Sequence, residues 1–350
     1  MRVAVPSRIS IGQWPENLAQ LLTQQRHNLT DMNRDTSASG PVAIVGAGLM
    51  GAQIGCEYAL AGCAVQWIVR DRARAEQRIE QALALVLQHG LADSAAVDRA
   101  RALMRWAGLE SNEGGDDDGN SEQPELIVES LPEQLALKAD VLGPLAVRHP
   151  DAIVASNTSS ISLSALGEAA GVAERIVGTH YWNPPLLMPL VEVLAGERTP
   201  LALRERVVVL LRAIGKRPVV LDAEADGLLW NRLQLAVLRE SLWLVEHGIA
   251  TPETIDEVMR DGLARRWRLT GPFETVGLGG AATFDAIAAN LFPLLSDAKS
   301  GSSFAPHVPS DPDQLTALRE RRDRALAAEL RTERGEQPLA AEHAEREEPA

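Results

Sequence analysis

His180 and Glu192 carry the side chains of an acid/base pair. They lie in the segment RIVGTHYWNPPLLMPLVEVLAG, Arg175 to Gly196. A short apolar run ends on His180, aromatics and Asn183-Pro184-Pro185 follow, and a second apolar run carries the single glutamate Glu192. The prolines stiffen a bend, which lets two strand ends bring an imidazole and a carboxylate together. Such a pair is a recognised proton-transferring unit, and an imidazole suits the work because it titrates near neutral pH. The other histidines, His27, His89, His149, His247, His307 and His343, have no such context and read as ordinary core or surface residues.

A second chemistry sits in VAIVGAGLMGAQIG, where Gly46, Gly48 and Gly51 form G-x-G-x-x-G between an apolar strand and a helix. Gly46 makes the tight turn, Gly48 lets the backbone approach a pyrophosphate, and Gly51 lets helix and strand pack closely. Leu49 and Met50 open the helix, whose free N–H groups and positive dipole end face the phosphates. An NAD-binding unit normally ends its second strand on an acidic residue about 20 residues on, for the ribose hydroxyls. Counting places Val69 there, followed by Arg70, Asp71 and Arg72. Either Asp71 reaches the ribose, or the acid is lost and an arginine meets the 2′-phosphate of NADP. Both readings stand on the residues.

Stepping outward, PVAIVG, AVQWIV, ELIVES, AIVASN, RIVGTH, LVEVL and RPVVLD read as strands. LMGAQIGCEYALAG, RARAEQRIEQALALVLQHG, SAAVDRARALMRWAG, PEQLALKADVLGPLAVR and PLALRERVVVLLRAIG read as helices between them. This alternation predicts parallel βαβ units and an α/β, Rossmann-like doubly wound sheet domain over residues 41–222. From residue 223 to 334 helical patterns dominate, including GLLWNRLQLAVLRESLWLVEHG, PETIDEVMRDGLA, Ala281–Leu295 and a charged helix from Asp311 to Arg334. They predict an all-helical C-terminal domain whose apolar faces suit self-association. Residues 1–40 read as a mobile extension, with Met32 a candidate start, and 335–350 as a disordered tail. SNEGGDDDGNSEQP reads as a solvated loop, its acids lacking a calcium-loop spacing.

The net charge of −14, with no basic stripe, argues against nucleic acid and anionic membranes as partners. No apolar run reaches the ~20 residues a membrane span needs. The two cysteines, Cys56 and Cys63, make a disulfide scaffold unlikely and fit a reducing cytoplasm. No metal-ligand spacing is present.

VAIVGAGLMGAQI, VESLPEQLALK, ASNTSS, GTHYWNPP, LVEV and WNRL, in this order, resemble the 3-hydroxyacyl-CoA dehydrogenase superfamily from about Pro41 to Leu295. NPPLLMPLVEV and NRLQLAVLRESLWLVEHGIATPETIDEVM are similar to its branch of L-gulonate 3-dehydrogenase (lambda-crystallin) and carnitine dehydrogenase, while SNTSS is more like the acyl-CoA enzymes. The resemblance implies NAD as cofactor and His180 as the base that takes the hydroxyl proton while hydride leaves for the nicotinamide. It makes Glu192 the group that orients His180, Ser159 a hydrogen-bond partner of the substrate oxygen, and Asn231 a donor that polarises the carbonyl. Donors of that kind are worth ~3 kcal/mol each in other enzymes. Glu133, Lys138 and Asn183 match family positions near the cofactor, and a homodimer through the helical domain is expected.

This sequence also departs from the family. Asp226 and Leu228 replace a usual proline and phenylalanine, and Trp230 precedes Asn231. No lysine precedes Lys138; Arg74, Arg78, Arg99, Arg101 and Arg105 stand where acyl-CoA members carry phosphate-binding lysines. Arg265, Arg266 and Arg268, near the family's G-P-F-E segment, suit either an anionic substrate or an interface. The expectation is NAD(P)-dependent oxidation of a 3-hydroxyacyl-CoA. The rivals are a free 3-hydroxy acid or carnitine-like alcohol, and a non-catalytic nucleotide-binding structural protein.

Overall fold

The structure, a computed structural model, describes residues 40–108, 123–298 and 303–336. The N-terminal extension with Met32, most of the acidic loop, and nearly all of the C-terminal tail lie outside the described residues. Short apolar runs become eight strands: β1 (Val42–Val45), β2 (Val65–Ile68), β3 (Met104–Ala107), β4 (Leu126–Glu129), β5 (Ile153–Ser156), β6 (Ile176–Tyr181), β7 (Leu190–Ala195) and β8 (Arg217–Val220). They form one sheet in the order β3-β2-β1-β4-β5-β6-β7-β8. Every neighbouring pair is parallel except β6 and β7. The chain winds outward in one direction to β3 and in the other from β4, so the crevice between β1 and β4 is the switch point where such sheets take ligands.

Helices cover both faces. On one side lie α1 (Leu49–Leu60), α2 (Arg72–Gln88), α3 (Ser94–Ala102) and α6 (Leu201–Ala213); on the other lie α4 (Leu135–Arg148) and α5 (Leu163–Ala169). The period of two along β1 sends Val42 and Ile44 into the first core and Ala43 and Val45 into the second. Full burial of side chains such as Ile54, Leu83, Leu142 and Leu166 contributes about 1.5–3 kcal/mol each.

Two segments differ from the expectation. MRWA, read as the tail of a helix, is the edge strand β3. There Trp106 pairs in register with Trp67 of β2, their rings 6.4 Å apart, so cross-strand packing prevails over the helical period. The short helix α5 follows a strand end, with Ser162 capping it by accepting from Ala165 N–H; seven residues are too few for a periodic signal.

The helical region comprises α7 (Leu228–Glu246), α8 (Pro252–Glu257) continued by a π-helical stretch (Val258–Ala264) and a single turn (Arg265–Trp267), α9 (Pro272–Gly279), α10 (Ala281–Leu291) and α11 (Pro312–Arg334). α11 packs back toward the sheet. Ala327 and Leu330 rest on Leu187, and Arg331 donates to the carbonyl of His89. Among the described residues no helix is long and apolar enough to cross a membrane.

Candidate active site

Only Trp182 to Pro189 separate β6 from β7. A parallel return needs a dozen residues or more, so this connection turns the chain back antiparallel. The Asn183–Pro184 peptide is cis, and the register sets His180 opposite Glu192. Nδ1 of His180 lies 2.6 Å from Oε2 of Glu192, with the residues 5% and 1% exposed. A carboxylate only accepts, which assigns the proton to Nδ1 and leaves Nε2 free to accept. Nε2 faces Ser159 Oγ at 3.1 Å. Ser159, His180 and Glu192 therefore form one hydrogen-bonded line.

Glu192 is the better-satisfied partner. Its Oε1 accepts from the N–H of Leu229 (2.8 Å) and Trp230 (3.0 Å), and Trp182 Nε1 lies 3.4 Å from Oε2. Burial alone would raise its pKa, but the bond and charge of His180 and the two N–H groups outweigh that and hold it below the ordinary value. The N–H groups come from the first turn of α7, placed by a left-handed pair, Gly227 (φ +80°) and Leu228 (φ +54°). A left-handed Leu is strained; its burial in the second core offsets the cost. The helix dipole also favours a carboxylate at this end. Asn231 follows on the same turn, half-buried. Trp230 stacks on Trp182 with centroids 4.0 Å apart, building an aromatic wall beside the pair.

The serine loop is pinned from below. Glu133 Oε1 accepts from the N–H of Ser159 (2.8 Å), Ser160 (2.8 Å) and Ile161 (3.3 Å), and from the hydroxyls of Thr158 (2.7 Å) and Ser160 (3.1 Å). Burial pushes its pKa up, but these donors and Lys138 carry it down to about 2. Lys138, expected near the cofactor or on an exposed helix face, is instead 1% exposed. Its ammonium is committed to Glu129 (2.7 Å) and Glu133 (3.2 Å), and Glu129 also accepts from Ser156 Oγ at 2.6 Å. Lys138 and Glu133 thus shape the loop that carries Ser159. Sequence reasoning missed Glu129 and Ser156, although VESLPEQ ends an apolar strand on a lone acid, which was the available signal.

The glycine loop fits a dinucleotide. Gly46 has φ +90°, and a Cβ on Gly51 would fall 1.9 Å from the Gly46 carbonyl oxygen, so both positions require glycine. Around Gly48 a Cβ would meet nothing within 4 Å, which leaves open space over the backbone. Gly48 caps α1 without a side chain, so the first-turn N–H groups at Met50 and Gly51 are free to face a pyrophosphate. The adenosine end differs from the NAD pattern: Asp71 is the N-cap of α2, accepting from Arg74 N–H at 3.0 Å, while Val69 and Arg70 lie between it and β2. Asn183 is exposed at the bend.

A residue absent from the sequence reading supports that bend. Lys216 is 5% exposed and donates to the carbonyls of Pro185 (2.7 Å) and Met188 (2.9 Å), while pairing with Glu57 of α1. Burial lowers the Lys216 pKa and raises that of Glu57, each opposed by the other's charge. Leu186 N–H donates to Gln53 of α1 at 3.2 Å. The nucleotide helix and the catalytic bend are therefore tied together directly. A lone lysine in IGKRPVV gave no sequence cue.

Comparison with known proteins gives the family. Residues 41–225 match the 3-hydroxyacyl-CoA dehydrogenase NAD binding domain, and residues 227–305 match the 3-hydroxyacyl-CoA dehydrogenase C-terminal domain. L-carnitine dehydrogenase of Oceanobacillus iheyensis is 34% identical over 245 residues, covering 68% of this chain and 76% of that protein. Lambda-crystallin of Oryctolagus cuniculus is 32% identical over 323 residues, covering 86% and 98%. The crystal structure of 5-formyl-3-hydroxy-2-methylpyridine 4-carboxylic acid 5-dehydrogenase, described as an NAD+ dependent dismutase, superposes with a TM-score of 0.72 at 28% identity, covering 85% of this chain and all of that one.

Proposed function

The chain belongs to the 3-hydroxyacyl-CoA dehydrogenase family of NAD-dependent oxidoreductases, and from that premise we propose that it oxidises the secondary hydroxyl of a small free 3-hydroxy acid or carnitine-like alcohol. The observation that carries the reading is the line Ser159 Oγ–His180 Nε2, His180 Nδ1–Glu192 Oε2. Bound NAD supplies the hydride acceptor. His180 Nε2 would take the proton of the substrate hydroxyl as the carbinol is oxidised to a ketone. Glu192 stabilises the resulting imidazolium. Ser159 holds the substrate oxygen against Nε2, and Asn231 donates to the same oxygen as its carbonyl character develops. The reverse reaction uses the same groups. Gly46, Gly48, Leu49, Met50 and Gly51 would hold the cofactor's pyrophosphate.

A free acid is favoured over the CoA thioester in part because the α2–α3 hairpin offers fewer unpaired cations than its arginine count suggests. Two of its arginines are drawn into local pairs, Arg72 with Glu76 (2.9 Å), and Arg101 with Glu80 (2.7 Å) and Asp98 (3.1 Å), while Arg74, Arg78 and Arg99 have no ion pair among the described residues. Arg105 donates to the carbonyls of Ala102 and Met104. The name of the L-carnitine dehydrogenase relative points the same way. We put the domain division between β8 and α7 and read α7–α10 as a homodimer interface. Exposed Phe273 (91%), Leu269 (83%), Leu278 (79%) and Phe292 (70%) support that assignment, and light scattering of the purified chain tests it.

The test of activity is NADH formation by the full-length protein with L-carnitine, L-gulonate, 3-hydroxybutyrate and 3-hydroxybutyryl-CoA, with His180→Ala as control. Turnover of a free acid that vanishes in the control is expected. Turnover of the thioester alone would return the substrate to the CoA class, and an undiminished His180→Ala enzyme would overturn the mechanism.

A further inference from the structure

We propose that the adenosine end of the nucleotide cleft accepts a 2′-phosphate, so that the chain binds NADP(H) as well as NAD(H), with Arg70 as the phosphate-binding residue. The inference concerns the cofactor's far end and goes beyond the substrate reading.

The position is fixed by backbone register. Val45 of β1 pairs with Ile68 of β2, and Gly46 N–H donates to the Ile68 carbonyl at 3.0 Å. The residues just after Ile68 therefore lie beside the first glycine of the pyrophosphate loop. In this fold that strand end reads the ribose: an acidic side chain takes the 2′-hydroxyl and repels a 2′-phosphate, whereas a nearby arginine accommodates the phosphate.

Here the acid is gone. Val69 is the first residue past β2 and is neutral. Asp71, the one carboxylate at the strand end, caps α2 with Oδ1 through Arg74 N–H. That bond orients its side chain toward the helix end. The next acid, Glu76, is paired with Arg72.

The cation is present. Arg70 is exposed, and among the described residues no hydrogen bond or ion pair engages it. Arg72 is fixed differently, by Glu76 and by stacking 4.8 Å over the ring of Trp106. That leaves Arg70 as the uncommitted fork at the strand end. A guanidinium matches a phosphate in bidentate geometry and stays charged at any working pH.

The experiment is calorimetric titration of the full-length protein with 2′,5′-ADP and with 5′-ADP, without substrate and at fixed salt. A second titration with NADH confirms that the cleft can be filled. The readout is equilibrium binding, so it is independent of which alcohol is oxidised and of His180. The expected result is 2′,5′-ADP binding about tenfold or more tightly than 5′-ADP, in line with one charge-assisted phosphate contact. Arg70→Ala should collapse that ratio toward one, and Val69→Asp should invert it, with melting temperature reporting the fold of each variant. Equal affinities in the unaltered protein, a preference for 5′-ADP, or a ratio indifferent to Arg70→Ala would each overturn the assignment.

Discussion

His180 and Glu192 are direct cross-strand partners in the β6–β7 hairpin, Nδ1 of one 2.6 Å from Oε2 of the other. Pairing across adjacent strands holds both backbones rigid, so the imidazole needs no reorganisation to receive a proton. Glu192→Gln keeps the shape but removes the charge that stabilises the imidazolium. A fall in kcat of about 10²–10⁴ is expected, with substrate KM little changed. The substitution also has a stability signature. The Glu192 pKa is depressed in the folded state, so its stabilising effect is complete above the ordinary carboxylate value of 4.5 and is lost as pH falls through the depressed one. Urea unfolding of the two proteins should therefore differ most near neutrality and converge in acid.

The glycine loop separates two roles that a single nucleotide-binding assay would merge. Gly51→Ala places a Cβ 1.9 Å from the Gly46 carbonyl oxygen, a backbone atom that cannot rotate away. Both melting temperature and NAD affinity should fall. Gly48→Ala meets nothing within 4 Å in the protein, so melting should be unchanged while the methyl occupies the space the pyrophosphate needs. A weakening of NAD binding by at least about tenfold is expected, read by titrating tryptophan fluorescence. Unchanged affinity in Gly48→Ala would place the phosphates elsewhere.

Lys216 and Glu57 join the nucleotide helix to the catalytic bend from a buried position. Removing one member leaves the other charged and unpaired, so Lys216→Met should destabilise by about 3–5 kcal/mol. The double variant Lys216→Met/Glu57→Leu should recover part of that loss, because the desolvated charge goes with its partner. Denaturant melts of the single and double variants measure the coupling, and strict additivity would show that the pair does not act as a unit.

The site was legible in proportion to how local its signals are. The glycine spacing, the bend after His180 and the lone Glu192 lie in short contiguous strings, and their geometry follows from strand and turn rules. Glu129, Lys138, Ser156 and Lys216 were not legible as a network, because their partners come from other elements: Lys216 meets Glu57 from 159 positions away in the numbering of the chain. β3 was lost for a similar reason, since MRWA becomes a strand only beside Trp67 of β2. Asp71 shows a different limit of local reading. Its position near the second strand suggested ribose, and only the hydrogen bond to Arg74 N–H shows it committed to a helix end.

Glu133 anchors Ser159 through backbone N–H groups, and so acts on catalysis without touching the reacting atoms. Glu133→Ala should free the Thr158–Ile161 turn, lowering kcat about tenfold or more as Ser159 loses its set distance to His180. Glu133→Gln retains an acceptor oxygen and should rescue part of the loss. Its pKa of about 2 in the folded protein means the anchor stays ionised from neutrality down through the ordinary carboxylate range. Its contribution is complete above the ordinary value of 4.5 and fades only as pH approaches about 2. Steady-state kinetics between neutral and mildly acid pH should therefore show a constant ratio of the unaltered enzyme to Glu133→Ala. A ratio that falls across this range would mean that the turn is held by something other than the Glu133 carboxylate.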